Sequence, residues 1–501
     1  MTSSRLGSST LHQLPASIRR FGYDRSALRP GILHLGAGAF HRCHQAEWTD
    51  DALEAAFGDW GIVAVNLRAP DLDGLMGAQD GLFCRELRDS GSLDRRVVGS
   101  IIDTISVPEG DDAVRAAKLE RALAVAAAAT ARVITMTVTE KGYCHVPATG
   151  QLNPEHPDIV HDIAHPEAPR SVPGFILRAL QLRQAGGVPF PTILSCDNVP
   201  DNGATLRRCV IGLARLIDPA LADHVERHGV FLNTMVDRIV PATRDVDIER
   251  FERETGVRDA ALVVGEAFRM WVIENPDGAE LPPWAKAGAM VVDDVVPFEL
   301  MKMRILNGIQ TNVSALGLID GLEFMSDVMG LEGYRGFARR TILREVLPSL
   351  PPVPGIDLAA YVEQSIARLQ NTELRHSTVQ IVTDASQKIR QRLLEPLRYC
   401  LRAGLSCEGL LIGVAAWMQA ASGVDLKGGG LSAPDPIAAQ AATIARQAGF
   451  DARELVRGML SIGAVFGDDL RQDERVESGL VRHLKGLRER GVAQVLAAAA
   501  G

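Results

Sequence analysis

The stretch "PFELMKMRILNGIQTNVSALG" (297–317) sets four polar residues, Glu299, Lys302, Asn307 and Gln310, among apolar residues at helical spacing. At about 100° per residue, Gln310 falls roughly 80° from Lys302 and 60° from Asn307, with Glu299 one turn before the lysine. One broad helix face can carry all four. Such a face is either solvated polarity or the floor of a site. As a site it offers an amine and a carboxylate to move a proton, and amides to donate hydrogen bonds to a developing alkoxide. A lysine serves as a base only where burial or a cationic neighbour depresses its pKa.

A second set of residues sits where strands end. In "GILHLGAGAFHRC" (31–43), Gly36 and Gly38 follow a strand and precede a helix. Glycines there permit a tight turn and a close approach of backbone to a pyrophosphate, which the helix N-terminus attracts. The full fingerprint has a third glycine, and His41 stands in its place. Beyond the next strand, "GIVAVNL" (61–67), Asp71 is placed to bind ribose hydroxyls and repel an extra phosphate, or simply to cap a helix. Arg68 could accept that phosphate, so NAD is expected with NADP left open. A strand over 132–139 runs into Glu140, Lys141 and Tyr143, one over 191–195 into Asp197 and Asn198, and "VFLNTMVDRIVP" into Asp237 and Arg238. Ligands of open parallel sheets bind beyond such carboxyl ends.

The elements that must position these residues change along the chain. The first half alternates β-branched runs with amphipathic helices at 41–57, 174–186 and 203–217, which predicts a mainly parallel sheet covered on both faces. From about residue 297 the pattern is helical, over 299–316, 334–347, 357–369, 377–404, 407–422 and 435–464, as expected of a helical bundle. The fold class is therefore α/β with a dinucleotide-binding first domain, residues 1–290, and a mainly α-helical second domain, residues 291–501. A net charge of −9 argues against nucleic acid and anionic membranes as partners. No apolar run reaches membrane-spanning length, and the opening segment lacks a signal-peptide core. Seven scattered cysteines read as reduced thiols of a cytoplasmic protein. The histidine pairs lack metal-ligand spacing, so no metal is expected. No G-x-S-x-G elbow and no Tyr-x-x-x-Lys pair is present. What remains is a metal-free hydride transfer.

Taken together and in order, "GAGAFHRCHQA", "TVTEKGYC", "SCDNVPDNG", "MVDRIVP" and "KMRILNG" resemble the polyol-specific long-chain dehydrogenases, the mannitol 2-dehydrogenase family that includes fructuronate reductase. Weaker similarity continues through "ELRHSTVQIVTDASQKIRQRLL" (373–394). The resemblance implies a Rossmann-type domain, a helical domain, an active site between them, NAD(P) and no metal. It implies Lys302 as general base, Asn198 and Asn307 as holders of the substrate oxygen, and Glu299 as proton relay. Asp237 and Lys388 would bind substrate hydroxyls. Gly36, Gly38, Phe40, Arg42 and Asn198 would line the cofactor, with Asp71 at the adenosine ribose.

Three departures stand out. Gln310 replaces a histidine usual in the family's N-G-x-H, so the base is unchanged but the substrate contact there differs. Gln380 stands where mannitol dehydrogenases carry arginine, a feature shared with fructuronate reductases, as are "TEKGYC", "LRH" and "QRLL". Pro70 replaces an acidic residue often found beside Asp71. The expected substrate is an aldonate of D-mannonate type, its carboxylate met by Arg375, His376 or Arg392. Mannitol, arabinitol, sorbitol and galactitol are the alternative polyols, and an NAD(H) or sugar-acid sensor is the alternative of another class. A monomer is expected.

Overall fold

The structure, a computed structural model, describes residues 4–68, 71–110, 112–147, 149–449 and 451–499. The chain divides into two compact units, Met1–Val296 and Pro297–Gly501.

The first unit is built on a six-stranded sheet of β1 (Pro30–Leu35), β2 (Gly61–Asn66), β3 (Ile101–Ser106), β4 (Val133–Met136), β5 (Thr192–Ser195) and β6 (Val230–Leu232), in the order 6-5-4-1-2-3. Every pairing is parallel. The order reverses between β1 and β4, which makes their carboxyl ends the switch point of a doubly wound sheet. Alternation along the strands explains the two cores. Leu33, Leu35, Val63, Val65, Ile105 and Ile134 face helices that include Val172–Ala185 and Asn202–Ile217. Ile32, Ile62, Ala64, Val133 and Leu194 face a second cluster with Trp48, Trp271 and Trp284. A sheet buried on both faces needs near-continuous apolar strands, and these have them.

Smaller sheets complete the unit. A hairpin pairs Phe83–Asp89 with Ser92–Val98, and Val263–Gly265 adds to it. Thr234–Asp237, Met270–Glu274 and Met290–Val292 form another sheet. The hairpin is not expected from the sequence, because its strands, FCRELRD and SLDRRVV, are rich in charge and neither continuously nor alternately apolar. The expected strand over 132–139 stops at Met136, since Thr139 takes a left-handed conformation (φ 62°) and opens a helical turn over Thr139–Gly142.

The second unit is helical, with no strand among its described residues. Four helical stretches expected from the sequence are broken; one of them, 435–464, forms Ala438–Ala448, Ala452–Leu460 and the start of Gly463–Gln472. The 297–317 stretch forms Val296–Arg304 and Leu306–Ile319, separated at Ile305 (φ −86°, ψ −77°). Ile305 N still donates to Met301 O at 2.9 Å, and Ile309 N to Ile305 O at 2.8 Å. Ile305 and Leu306 are both buried at the bend, and neither is a glycine or a proline. A single helical wheel does not run from Lys302 to Gln310. In the first unit 41–57 divides at His44 into Ala39–Cys43 and Gln45–Ala55. The 377–404 stretch divides at Asp384, which is left-handed (φ 54°), and again at a π-helical turn over Arg390–Leu394.

Candidate active-site elements

The glycine loop leaves β1 under tight control. Gly36 has φ 87°, and a Cβ there would stand 2.3 Å from Thr137 O. Its N–H donates to Val65 O at 2.9 Å, and Thr137 Oγ1 donates to its carbonyl at 2.7 Å. Ala37 N donates to Asn66 Oδ1 at 3.0 Å, so the last residue of β2 fixes the middle of the loop. Gly38 differs. It begins the Ala39–Cys43 helix at φ −74°, and the nearest atom to an added Cβ is Gly36 O, 3.9 Å away. Gly36 is required by the fold, whereas Gly38 leaves an open approach to the first N–H groups of a helix, which lack intrahelical partners.

His41 occupies the third fingerprint position, where glycine ordinarily lets helix and strand pack closely. Its buried ring stacks on that of His34 in β1, centroids 3.4 Å apart and 19° from parallel. The ring nitrogens of His34 lie 2.8 and 3.0 Å from the hydroxyls of Thr135 and Thr137. Burial pushes His34 down to about 3, and burial together with the neighbouring His34 holds His41 well below the usual histidine range. Two neutral imidazoles thus replace the helix–strand contact that glycine would permit.

The remaining nucleotide-side residues take varied places. Phe40 is half-buried and stacks on His44 at 5.0 Å. Arg42 is buried and donates to Ala37 O at 3.1 Å, with burial lowering it to about 10. Asp71 caps the Leu72–Leu75 turn, accepting from Asp73 N and Gly74 N at 3.1 Å on separate oxygens. Each oxygen keeps a further lone pair. Arg68 is ion-paired with Asp158. Pro70 lies outside the described residues.

At the ends of β4 and β5, the buried Asp197 joins two loops. It accepts from Val138 N (3.2 Å), Thr139 N (2.8 Å) and Tyr143 Oη (3.1 Å), and burial raises it to about 6. Tyr143 also bonds the Ser195 hydroxyl. Asn198, next to this tie, is exposed. Asp237 is buried at the last position of Thr234–Asp237. Arg238 beside it pairs with the buried Glu47. Asn66, Thr137 and Asp197 were not singled out as loop-positioning residues from sequence. Their partners lie 29 to 101 residues away, and the one legible signal was a polar residue closing an apolar strand.

In the second unit Lys302 is only 7% exposed, and Asn307 and Gln310 are buried on the next helix. Glu299 is half-buried one turn before Lys302. Asn307 Nδ2 lies 3.6 Å from Met303 Sδ across the bend. Arg392 Nη1 donates to Thr311 Oγ1 at 3.0 Å, which sets a guanidinium next to Gln310 in sequence and one turn from Asn307. Thr378–Val382, which carries the exposed Gln380, packs on the same Leu306–Ile319 helix. Lys388 Nζ donates to Thr383 O at 2.6 Å. Burial, and then the charge of Lys388, lower His376. Arg375 stacks over the Phe324 ring at 4.2 Å. Among the described residues one group has metal-ligand character: Cys144, His156 and Asp158 offer atoms within 4.8 Å of one another, and Asp158 is the partner of Arg68.

Two family models account for most of the chain. The mannitol dehydrogenase Rossmann domain matches residues 30–286, and the mannitol dehydrogenase C-terminal domain matches residues 294–488. The chain belongs to the mannitol dehydrogenase family. D-mannonate oxidoreductase of Escherichia coli (strain K12) is 39% identical over 485 residues, 96% of this chain and 98% of that protein. Mannitol 2-dehydrogenase of Phaeosphaeria nodorum is 33% identical over 500 residues, 98% of this chain and 85% of that one. The solved structure of Pseudomonas fluorescens mannitol 2-dehydrogenase, a ternary complex with NAD and D-mannitol, superposes with a TM-score of 0.85 at 32% identity, covering 99% of both chains. The family assignment accords with the Rossmann strand order and the helical second unit. No helix among the described residues is long and apolar enough to cross a membrane.

Proposed function

We propose that this member of the mannitol dehydrogenase family is a metal-independent, NAD-dependent oxidoreductase. It interconverts a secondary alcohol of an open-chain sugar acid, of D-mannonate type, and the corresponding keto acid of fructuronate type. The observation that carries the reading is the 39% identity to a D-mannonate oxidoreductase across nearly the whole of both chains. The residues fit a dinucleotide. Gly38 leaves room for backbone approach, helix N–H groups stand behind it, and Asp71 keeps acceptor capacity for ribose hydroxyls.

Bound NAD supplies the hydride acceptor, and this chain's residues do the rest. Lys302 takes the hydroxyl proton, and Glu299, one helical turn away, passes it toward solvent. The amides of Asn198 and Asn307 donate to the oxygen as it gains negative charge. Asp237, Gln310, Gln380 and Lys388 hold the substrate hydroxyls, and Arg375 and His376 are carboxylate contacts. The reaction is tested by mixing purified protein with NAD and mannonate, mannitol, arabinitol, sorbitol and galactitol. Formation of NADH with mannonate foremost is expected. Faster turnover of mannitol would reassign the substrate to the polyols, and no NADH with any of them, nor oxidation of NADH by the keto sugars, would sink the enzymatic reading.

Gln310 favours one alternative, a protein that binds NAD(H) or a sugar acid without turnover. Lys302→Ala separates the two. An enzyme loses most of its rate and keeps cofactor affinity, whereas a sensor has no rate to lose.

A further inference from the structure

The segment after β2 carries both residue types that decide between NAD and NADP. A carboxylate there suits a free ribose hydroxyl, and an arginine suits the 2′-phosphate. Asp71 and Arg68 lie three residues apart, and Arg68 is two residues beyond the last residue of β2. The guanidinium of Arg68 is taken by the carboxylate of Asp158, in the first turn of the Pro157–Ala164 helix. The Arg68 side chain is 57% exposed and that of Asp158 only 16%, so the acid is the anchored partner and the arginine the reachable one. A second cation near this segment is also paired, because Lys118 Nζ lies 2.7 Å from Asp73 Oδ2. The surroundings hold further charge. Arg115 feels the positive charges of Arg170 and Arg68 and the negative charges of Glu109 and Asp162. The buried Cys144 thiol feels both Asp158 and Arg68, and His156 Nδ1 accepts from Asp158 N at 3.3 Å.

We propose that Asp158 is a cofactor-specificity residue: by engaging Arg68 it denies the 2′-phosphate of NADP its arginine and keeps a carboxylate at the adenosine end. The inference rests on the dinucleotide-binding reading above. It places part of the discrimination on a residue 87 positions away from Asp71 in sequence, on a helix outside the β1–β2 nucleotide motif. Removing the charge of Asp158 releases a guanidinium that is already exposed, with Arg115 and Arg170 adding positive potential.

The test is direct titration of NADH and NADPH into the full-length protein without substrate, followed by nicotinamide fluorescence, with thermal melting of each variant in parallel. The parent is expected to prefer NADH. Asp158→Asn is expected to tighten NADPH by about three- to fivefold, the scale of the partly exposed ion pair it removes. Adding Arg68→Ala to Asp158→Asn should abolish that gain. Asp158→Ser provides the same charge change should the asparagine variant melt early. A parent without preference for NADH, an unchanged NADPH affinity in both Asp158 variants, or a gain that survives loss of Arg68 overturns the proposal. Binding of neither nucleotide to the parent removes the dinucleotide reading itself, an outcome distinct from NADH binding with no effect of Asp158.

Discussion

Gly36 and Gly38, two residues apart, should respond oppositely to the same substitution. In Gly36→Ala the new Cβ stands 2.3 Å from Thr137 O, 2.9 Å from Thr137 C and 3.0 Å from Val138 Cγ1, on a backbone with φ 87°. The left-handed conformation alone costs about 1–2 kcal/mol, and a clash with backbone at the end of β4 adds to it, for a total of at least about 3 kcal/mol. An apparent melting point lower by roughly 5 °C or more is expected. In Gly38→Ala the backbone is ordinary (φ −74°, ψ −168°) and the methyl meets only Gly36 O at 3.9 Å. Its cost is under about 1 kcal/mol, chiefly from a poorer start to the helix. Its methyl instead fills the approach to the helix N–H groups, so NADH affinity should fall at least about tenfold, the loss of one charge-assisted hydrogen bond. Differential scanning fluorimetry and NADH titration on the same preparations read both effects. Equal destabilisation by the two substitutions, or parent-like NADH binding by Gly38→Ala, would refute the division of labour assigned to the two glycines.

Other outcomes follow from the second unit and the loop. Lys302→Ala should lower turnover by about 10²-fold or more, the usual contribution of a general base, with NADH affinity retained in the titration. Gln310→His should shift the ratio of kcat/KM between mannonate and mannitol, and an unchanged ratio would make position 310 a bystander. The buried Glu345 accepts from Gly409 N and Leu410 N at 2.9 Å, and burial raises its pKa from 4.5 to about 7. The folded chain therefore holds a proton that the unfolded chain releases between those values. This group's contribution to stability falls as pH rises through that window, by up to about 3 kcal/mol. Glu345→Gln should remove that part of the slope in denaturant melts at pH 5 and pH 8.

The parallel sheet was legible because its strands are short apolar runs, each closed by polar residues, as in "GILHLGAG". The helical second unit was legible from its period. The breaks were not. Ile305 and His44 carry no glycine or proline signal, so the bends there leave no local mark in the sequence. Asp384 is an ordinary polar residue until its left-handed φ is seen. Of the candidate site, the glycine loop and the lysine helix stand out by residue type. Arg42, expected at the cofactor, is buried and holds Ala37 of the loop, a contact its residue type alone does not disclose. Asp71 caps the Leu72–Leu75 turn, one of the two roles its position allows, and keeps acceptor capacity for the other. Asn66, Thr137 and Asp197 act through partners remote in sequence, which no local pattern discloses.

The stacked rings of His34 and His41 bind two positions into one unit of inheritance. A glycine placed at 41 leaves a ring-sized void over His34, and an aliphatic residue at 34 loses the flat face on which His41 stacks. A redesign that imports the ordinary glycine fingerprint into this scaffold must therefore replace both residues together. Transplanting the loop alone carries half of a contact.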